Sequence, residues 1–192
     1  MSRGEPLWIF GYGSLVWRPA FVHDRACRAW IRGHVRRFWQ GSMDHRGLPE
    51  RPGRVATLVA ESDSEPGPID RRCWGTAYRV GAERAPDVLR ALDHRERGGY
   101  ARLEIEIGLA PDGEEERGEQ TVGGLVYVAG PDNPHYLGPA PLEAIAAQIA
   151  VARGPSGANA EYVFELAASL RRMGADDPHV FALDALLRQG RG

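Results

Sequence analysis

The densest group of ionisable side chains in the sequence is Asp93-His94-Arg95-Glu96-Arg97, which is followed directly by Gly98-Gly99-Tyr100. Apolar residues at positions 85, 88, 89 and 92 predict that this group ends a helix, with Pro86 in its first turn. Such charges usually form a solvated helix end, and that interpretation stays open. A negative charge near a helix C-terminus opposes the helix dipole, however, so Glu96 would be better placed in a site where it exchanges a proton. Glu96 is therefore the candidate general base or acid.

A second group that could do chemistry is the turn Gly11-Tyr12-Gly13-Ser14-Leu15 near the start of the chain. It follows the apolar run Leu7 to Phe10, which is typical of a buried strand. The two glycines allow a sharp turn and let a ligand approach the backbone closely. Successive backbone N–H groups in such a turn can hold a negatively charged group. An ordinary turn after a strand would use the same residues, so both interpretations stay open.

Other reactive or nucleotide-binding motifs find little support in the sequence. Val16 stands where the dinucleotide fingerprint needs its third glycine, and Pro19 leaves no helix-forming stretch after the turn. Ser14 lacks the G-x-S-x-G context of a nucleophile elbow. Cys27 and Cys73 have no activating neighbours in the sequence and are predicted to be small buried residues. These patterns predict neither a nucleotide site nor a nucleophilic enzyme.

The composition narrows the class of protein. The 192 residues are 43% hydrophobic and 26% charged, as expected for one globular domain over 1–192. The net charge of −2 gives no indication of nucleic acid or an anionic membrane as a partner. No stretch approaches the ~20 apolar residues of a membrane helix, and we expect a soluble, cytoplasmic protein. The six histidines lack the spacing of metal ligands, so no metal site is expected.

Strand patterns dominate the first two thirds of the chain, and helix patterns dominate the last third. Strands are predicted over 7–10, 27–39 with a break at Gly33, 55–61, 73–80, 100–109 with one wet face, and 120–129. Helices are predicted over 85–96, 139–153, 159–173 and 178–187. Loops or turns are predicted over 41–54, 62–71 and 112–119. This order indicates an α+β fold in which short strands curl into a small barrel or a strongly bent sheet.

Several blocks of the sequence resemble the ChaC family of glutathione-specific γ-glutamylcyclotransferases. In chain order the blocks are Phe10 to Pro19, Arg36 to Ser42, His45 to Gly47, Pro52 to Val55, Arg95 to Tyr100, Asn133 to Ala140 and Arg153 to Asn159. They keep the family's order from about residue 8 to about residue 165, so they cover nearly the whole chain. Blocks of this number and length are highly specific, and chance is not a serious alternative.

The resemblance implies a bent β-barrel with flanking helices that cleaves glutathione to 5-oxoproline and Cys-Gly without a cofactor. It implies that Glu96 is the catalytic glutamate. The implied substrate-binding residues are Ile9, Phe10, Gly11, Tyr12, Gly13 and Ser14, to which the turn adds Leu15, with Tyr100, Tyr127 and Tyr136 as pocket tyrosines. Glutathione is the expected small-molecule partner, and the oligomeric state stays open.

Two features depart from the family pattern. Only Arg97 stands between Glu96 and the Gly-Gly-Tyr segment, where many members have a slightly longer connection. This difference leaves the geometry of the loop after Glu96 open. The excursion at 62–71 is longer than usual, and it is expected to alter one rim of the barrel.

Glu96 and the turn at 11–15 could both contribute to the ring closure that the resemblance implies. Because the α-amine of a γ-glutamyl unit attacks its own γ-carbonyl, holding that unit folded can supply roughly 7–11 kcal/mol of the barrier. The attacking amine must lose a proton, and a carboxylate at Glu96 can take that proton and return it to the departing amine. Partial burial is expected to raise the pKa of Glu96 for this task. Backbone N–H groups of the turn at 11–15 can stabilise the developing oxyanion or the substrate carboxylate.

Three functions stay open from the sequence. In the first, the protein is a cyclotransferase that degrades glutathione. In the second, a cyclotransferase of the same fold acts on other γ-glutamyl amines or dipeptides. In the third, a non-catalytic binding module has kept the pocket. Glu96 and the intact turn favour a catalyst, because a pure binding module has no need of a base.

Overall fold

The computed structural model describes residues 4–63, 71–96, 98–111 and 120–190. The predictions for Arg97, for the turn at 112–119 and for the central part of the excursion at 62–71 concern residues outside these ranges. Strands in the described ranges are β1 Leu7–Gly11, β2 Arg25–Ile31, β3 His34–Ser42, β4 Gly53–Ala60, β5 Cys73–Val80, β6 Ala101–Leu109, β7 Gln120–Val128, β8 Arg153–Gly154 and β9 Gly157–Ala158. The α-helices are α1 Ala85–Arg95, α2 Leu142–Val151, α3 Asn159–Arg172 and α4 Pro178–Gln189.

Five strands close into a barrel in the order β1-β5-β2-β6-β7. Neighbouring strands are antiparallel except at the closure, where β1 lies parallel to β7 at Ile9 and Leu125. The helices α2, α3 and α4 follow the barrel in sequence and pack against one another. The predicted α+β barrel with a helical final third is therefore confirmed.

Strands β3 and β4 form a two-stranded sheet of their own. The predicted break at Gly33 is the point where the chain turns from β2 into β3, and its φ of 73° suits glycine. The predicted loop at 41–54 is shorter in the structure, because β3 continues to Ser42 and β4 already begins at Gly53, and these two residues pair with each other. The loop therefore spans 43–52.

The helix predictions are confirmed with small shifts of their ends. Helix α1 keeps Pro86 in its first turn and ends at Arg95. Helix α2 begins later than the predicted residue 139, because Pro141 is in an extended conformation with ψ of 143°. Helix α4 begins after Asp177, whose side chain accepts a hydrogen bond from the N–H of Val180 at 3.1 Å. No helix in the described part of the chain is long and apolar enough to span a membrane.

Two hydrophobic clusters hold these elements together. The larger cluster fills the barrel and reaches the C-terminal helices, and it includes Phe10, Ile107 and Leu166. The smaller cluster lies beneath α1 and includes Ile9 and Leu92. Because side chains alternate along a strand, β1 sends Phe10 into one cluster and Ile9 into the other. Helix α1 is thereby fixed against the outside of the barrel.

The burial pattern of strand β6 differs from the prediction of a strand with one solvent-exposed face. Residues 101–104 are all exposed, and only the last three residues of the strand are buried. The reason is that β6 pairs with β7 along its whole length but with β2 only at the pairs Ala29–Leu109 and Trp30–Gly108. The first half of β6 is therefore an exposed edge strand, which pairs on one side with buried residues of β7 and has no strand of the described chain paired on its other side.

Candidate active site

The loop at 11–15 continues β1 beyond its pairing with β5. The side chains of Ile9 and Phe10 are 0% and 1% exposed and belong to the two hydrophobic clusters. These two predicted binding residues can therefore meet a ligand only through their backbone. A Cβ added to Gly11 would lie 2.7 Å from the Cβ of Leu15, so the loop can fold back on itself only with glycine at this position.

The carbonyl groups of residues 12–16 all accept hydrogen bonds from within the protein. Their donors, in order, are Arg36 Nε at 2.8 Å, the Val16 N–H at 3.0 Å, the Arg18 N–H at 2.9 Å, the Tyr78 hydroxyl at 2.6 Å and the Thr76 hydroxyl at 3.4 Å. Within the described ranges, the N–H groups of Gly13, Ser14 and Leu15 donate no hydrogen bond to another residue. Because the N–H and C=O of a trans peptide point in opposite directions, these N–H groups face away from the partners of the carbonyls. The loop therefore offers three successive donors to a negatively charged oxygen.

Glu96 lies at the C-terminal end of α1, and Arg95 joins it to the loop. Arg95 Nη2 donates to the hydroxyl of Ser14 at 2.7 Å, while Arg95 Nε lies 3.4 Å from Glu96 Oε1. The side chain of Glu96 is 16% exposed. The loop and Glu96 are therefore on the same side of the barrel, as a shared site requires.

Three tyrosines surround Glu96 and the loop. The charge of Glu96 acts on Tyr12 and Tyr100, and a Cβ added to Gly13 would lie 2.7 Å from the hydroxyl of Tyr162. Burial is the main cause that raises the pKa of all three hydroxyls, in the case of Tyr162 to about 12. Each hydroxyl therefore keeps its proton near neutral pH. The hydroxyl of Tyr12 donates that proton to the carbonyl of Tyr127 at 2.9 Å, whereas those of Tyr100 and Tyr162 can donate to a ligand.

The carboxyl group of Glu96 has an altered proton affinity. Burial raises its pKa above the usual 4.5, Arg95 opposes the increase, and Asp44 adds to it. A raised pKa brings a carboxylate closer to the proton affinity of an amine, which favours proton exchange between the two groups. Desolvation combined with specific charged neighbours is typical of residues that act on protons in functional sites.

The segment after Glu96 is held by a buried asparagine. Asn133 Nδ2 donates to the carbonyl of Gly98 at 2.7 Å, and Asn133 Oδ1 accepts from Gln40 Nε2 at 3.1 Å. Gly99 has φ of 86°, and a Cβ there would lie 2.7 Å from Asn133 Nδ2. The glycines thus allow the chain to pass closely over Asn133 before it reaches Tyr100.

The structure does not bring Tyr127 and Tyr136 to the cluster around Glu96. The ring of Tyr127 packs beneath α1, and its hydroxyl donates to Asp93 at 2.6 Å. Tyr136 lines a broad groove of about 1660 Å³ together with Trp39, and Glu96 is not among the residues that line this groove. The binding roles of these two tyrosines stay predictions without geometric support.

Comparison with known proteins assigns the family. Residues 7–190 match the family model described as ChaC-like protein. The chain belongs to the ChaC-like family. The match spans the loop, Glu96 and all of the strands and helices described above. The resemblance found in the sequence blocks is therefore confirmed.

Two relatives show how widely the ChaC-like sequence is shared. Glutathione-specific gamma-glutamylcyclotransferase 1 of Danio rerio is 46% identical over 186 residues, which cover 94% of this chain and 88% of the relative. The glutathione-specific gamma-glutamylcyclotransferase of Schizosaccharomyces pombe is 40% identical over 197 residues, which cover 98% of this chain and 96% of the relative. The similarity thus extends over nearly the full length of both relatives.

A solved structure supports the ChaC-like fold independently of the strand and helix patterns. The chain resembles the crystal structure of a γ-glutamylcyclotransferase specific to glutathione from yeast, with a TM-score of 0.87 and 32% sequence identity. The comparison covers 97% of both chains. The barrel and the flanking helices are therefore common to the two proteins.

Sequence patterns did not single out two residues of the ChaC-like site, Tyr162 and Arg95. Tyr162 belongs to the apolar stripe of α3, where a tyrosine looks the same as any core residue. Arg95 belongs to a charged helix end, where solvent exposure is the usual outcome. The one available signal was that Arg95 directly precedes Glu96 in a block that resembles the family.

Replacing Glu96 by glutamine is expected to stabilise the ChaC-like protein near neutral pH. The folded carboxyl has a raised pKa, so between pH 4.5 and that pKa the folded state binds more protons than the unfolded state. The free energy of unfolding of the parent protein therefore falls as pH rises through this interval. Glu96→Gln removes the buried charge, and we expect a gain of about 1 kcal/mol at pH 7.5 that disappears below pH 4.5. Thermal unfolding of both proteins at the two pH values measures this difference. A parent that is more stable than Glu96→Gln at pH 7.5 would contradict the prediction.

Proposed function

We propose that this chain is a glutathione-specific γ-glutamylcyclotransferase that converts glutathione into 5-oxoproline and Cys-Gly, with Glu96 as the general base and acid. The observation that carries the proposal is the placement of a desolvated carboxylate beside a loop with three N–H donors that find no acceptor among the described residues. The names of the relatives from Danio rerio and Schizosaccharomyces pombe support the same substrate. Both groups needed for ring closure are thus present on one side of the barrel.

The reaction is an intramolecular transfer of an acyl group. The α-amine of the γ-glutamyl unit attacks the γ-carbonyl carbon and forms the C–N bond of a five-membered ring. The tetrahedral intermediate then collapses, the amide bond to the cysteine nitrogen breaks, and Cys-Gly leaves as an amine. Atoms balance without water, because the attacking nitrogen loses two protons on going from an ammonium to the N–H of the ring, and the leaving nitrogen gains two on going from an amide N–H to the ammonium of Cys-Gly.

Glu96 is proposed to relay these protons one at a time. A free α-ammonium group is mostly protonated at pH 7, and it cannot attack until it loses a proton. Burial raises the pKa of Glu96, so the carboxylate is a stronger base than a solvated glutamate. The protonated Glu96 then acts as the acid for the departing nitrogen, which restores the carboxylate for the next turnover.

The loop at 11–15 is proposed to bind negatively charged oxygens of the substrate. The N–H groups of Gly13, Ser14 and Leu15 are fixed in place before the substrate arrives, because the carbonyls around them are already engaged. Preorganised donors stabilise a developing oxyanion more strongly than mobile water does. The same donors suit the α-carboxylate of the γ-glutamyl unit.

Tyr12, Tyr100 and Tyr162 are proposed to complete the pocket. The hydroxyls of Tyr100 and Tyr162 keep their protons because burial raises their pKa values, so they can orient the substrate without adding charge. The hydroxyl of Tyr12 donates to the carbonyl of Tyr127 and so holds the loop against β7. The proposed reaction uses no cofactor, and the absence of a cofactor remains a prediction from the family resemblance. We place the protein in the cytoplasm, in agreement with the buried Cys27 and Cys73, neither of which forms a disulfide in the described part of the chain.

A panel of γ-glutamyl compounds tests the substrate assignment. Purified protein is incubated with glutathione, γ-glutamylcysteine, γ-glutamylalanine and Nε-(γ-glutamyl)lysine, and 5-oxoproline is measured over time. We expect kcat/KM for glutathione to exceed that of every other compound by at least ~10-fold, which corresponds to about 1.4 kcal/mol of transition-state binding to the Cys-Gly half. Equal values across the panel would assign a general γ-glutamyl cyclotransferase instead. No 5-oxoproline from any compound would favour the non-catalytic binding module.

A further inference from the structure

Arg36 is a buried cation that contacts the loop from the side opposite to the N–H groups of residues 13–15. Its side chain on β3 is 0% exposed. Arg36 Nε donates to the carbonyl of Tyr12 at 2.8 Å, Nη1 donates to Asp177, and Nη2 donates to the carbonyl of Trp74. A single guanidinium therefore connects the loop with strand β5 and with the N-terminal end of α4.

The bond to Tyr12 differs from the other bonds that hold the loop. The remaining carbonyls between residues 13 and 16 accept from backbone N–H groups or from neutral hydroxyls. Only the carbonyl of Tyr12, among residues 12–16, accepts from a charged donor. Hydrogen bonds from an ionised donor are roughly twice as strong as neutral ones, so the Tyr12 peptide is the most firmly oriented unit of the loop.

The orientation of this peptide decides where the N–H of Gly13 points. The carbonyl of Tyr12 and the N–H of Gly13 belong to one planar trans peptide and point in opposite directions. With the carbonyl fixed towards Arg36, the N–H is fixed away from it and joins the N–H groups of Ser14 and Leu15. If the carbonyl were released, rotation of the peptide would replace a donor in the site with a carbonyl oxygen, which repels an oxyanion.

We infer that Arg36 is a positioning residue for the cyclisation, which aims the N–H of Gly13 at the substrate by holding the carbonyl of Tyr12. The inference rests on the proposed function and adds a residue that does not itself touch the substrate. Arg36 lies on the side of the loop away from the substrate. Its replacement should therefore change the chemical step more than substrate binding. A purely structural role in pairing with Asp177 would instead appear in stability.

Two variants separate these roles. Arg36→Lys keeps a positive charge opposite Asp177, but an ammonium cannot reproduce the fork that reaches three acceptors, so the bond to Tyr12 is lost. Asp177→Asn removes the ion pair, keeps Arg36 beside Tyr12, and leaves an oxygen to cap the first turn of α4. Both variants disturb the buried pair, whereas only the first releases the carbonyl of Tyr12.

The experiment compares kcat and KM for glutathione with the melting temperature of each variant, at a temperature below all unfolding transitions. We expect Arg36→Lys to lower kcat at least ~30-fold, since a displaced oxyanion donor costs roughly 10²–10³-fold in kcat, while KM changes less than about threefold. Asp177→Asn should lower the melting temperature yet keep kcat within about threefold of the parent. A kcat for Arg36→Lys within threefold of the parent overturns the inference. So does an equal loss of kcat in Asp177→Asn.

Two further measurements test the inference if Arg36→Lys does not fold or if the parent protein shows no activity. If Arg36→Lys does not fold, Arg36→Met/Asp177→Asn removes both charges together, and the same loss of kcat is expected from it. A crystal structure of Arg36→Lys, or of Arg36→Met/Asp177→Asn, should show the peptide between Tyr12 and Gly13 rotated, and an unchanged peptide in it would overturn the inference. If the parent protein releases no 5-oxoproline, the proposed function fails, while the orientation of this peptide can still be tested in the crystal.

Discussion

Glu96→Gln is expected to lower kcat for release of 5-oxoproline from glutathione by roughly 10²–10⁴-fold, the usual contribution of a general acid–base group. Glutamine keeps the shape of the side chain but cannot accept the proton of the attacking amine. Because the side chain is only 16% exposed, bulk water has limited access to replace it as the base. KM should change little, since the amide fills the same space and the loop is untouched.

A matched control separates the chemical role from a general effect of charge. Glu104→Gln makes the same substitution on the exposed part of β6, away from the loop, and it should retain activity within about twofold of the parent. Circular dichroism of both variants should match the parent. A folded Glu96→Gln that keeps more than half of the parent activity would show that another group carries the proton.

Gly13→Ala is expected to lower kcat/KM for glutathione by roughly 10²-fold, the scale of loss when reacting groups are misplaced by about 1 Å. The added Cβ would lie 2.7 Å from the hydroxyl of Tyr162, so either the loop or the tyrosine must move. Movement of the loop displaces the N–H groups of Gly13 and Ser14 from the substrate oxygens. Steady-state kinetics with glutathione measure the loss.

The geometry also predicts how this loss can be reversed. After the hydroxyl of Tyr162, the nearest atom to the added Cβ is the Cζ of the same ring at 3.9 Å, which is an ordinary contact. Gly13→Ala/Tyr162→Phe should therefore recover much of the activity lost by Gly13→Ala, relative to Tyr162→Phe alone. Gly123→Ala serves as the control, because nothing lies within 4 Å of its added Cβ. Strictly additive losses in the double variant would contradict the steric explanation.

The parts of the fold that the sequence predicted are those set by local patterns. Strand β5 has the predicted bounds because a run of β-branched and aromatic residues is interrupted at both ends. Helix α1 is set by its apolar stripe and by Pro86 at its start. The position of Glu96 at the end of that helix followed from the same stripe. Local periodicity therefore predicted where the proposed base lies along the chain.

The parts that the sequence could not predict depend on contacts between distant residues. Tyr162 and Arg36 follow the periodicity of α3 and β3, and only the fold shows that they meet the loop at Gly13 and Tyr12. The opposite case is Tyr127, which the family resemblance implied as a pocket tyrosine but whose hydroxyl donates to Asp93 beneath α1. A tyrosine's neighbours across the barrel, rather than its own sequence context, decide whether it reaches the site.

The exposed first half of β6 illustrates the same limit. The alternation of Leu103 to Leu109 is a sound strand signal, and a strand was found there. How many partners a strand has is not encoded in its own alternation, because that depends on where the neighbouring strand ends. Strand β2 reaches β6 only near Leu109, so the predicted buried face has nothing to pack against at Leu103, which is 41% exposed.

The most direct test of the central claim is to identify the products of glutathione in water enriched in ¹⁸O by mass spectrometry. Ring closure by the α-amine, with Glu96 returning the proton to the leaving nitrogen, consumes no water. The expected result is 5-oxoproline and Cys-Gly in equal amounts, with no ¹⁸O incorporated in either, and with formation of both products slowed at least ~10²-fold in Glu96→Gln. Release of glutamate that carries ¹⁸O in its γ-carboxylate would instead show hydrolysis by water and would contradict the proposed cyclisation.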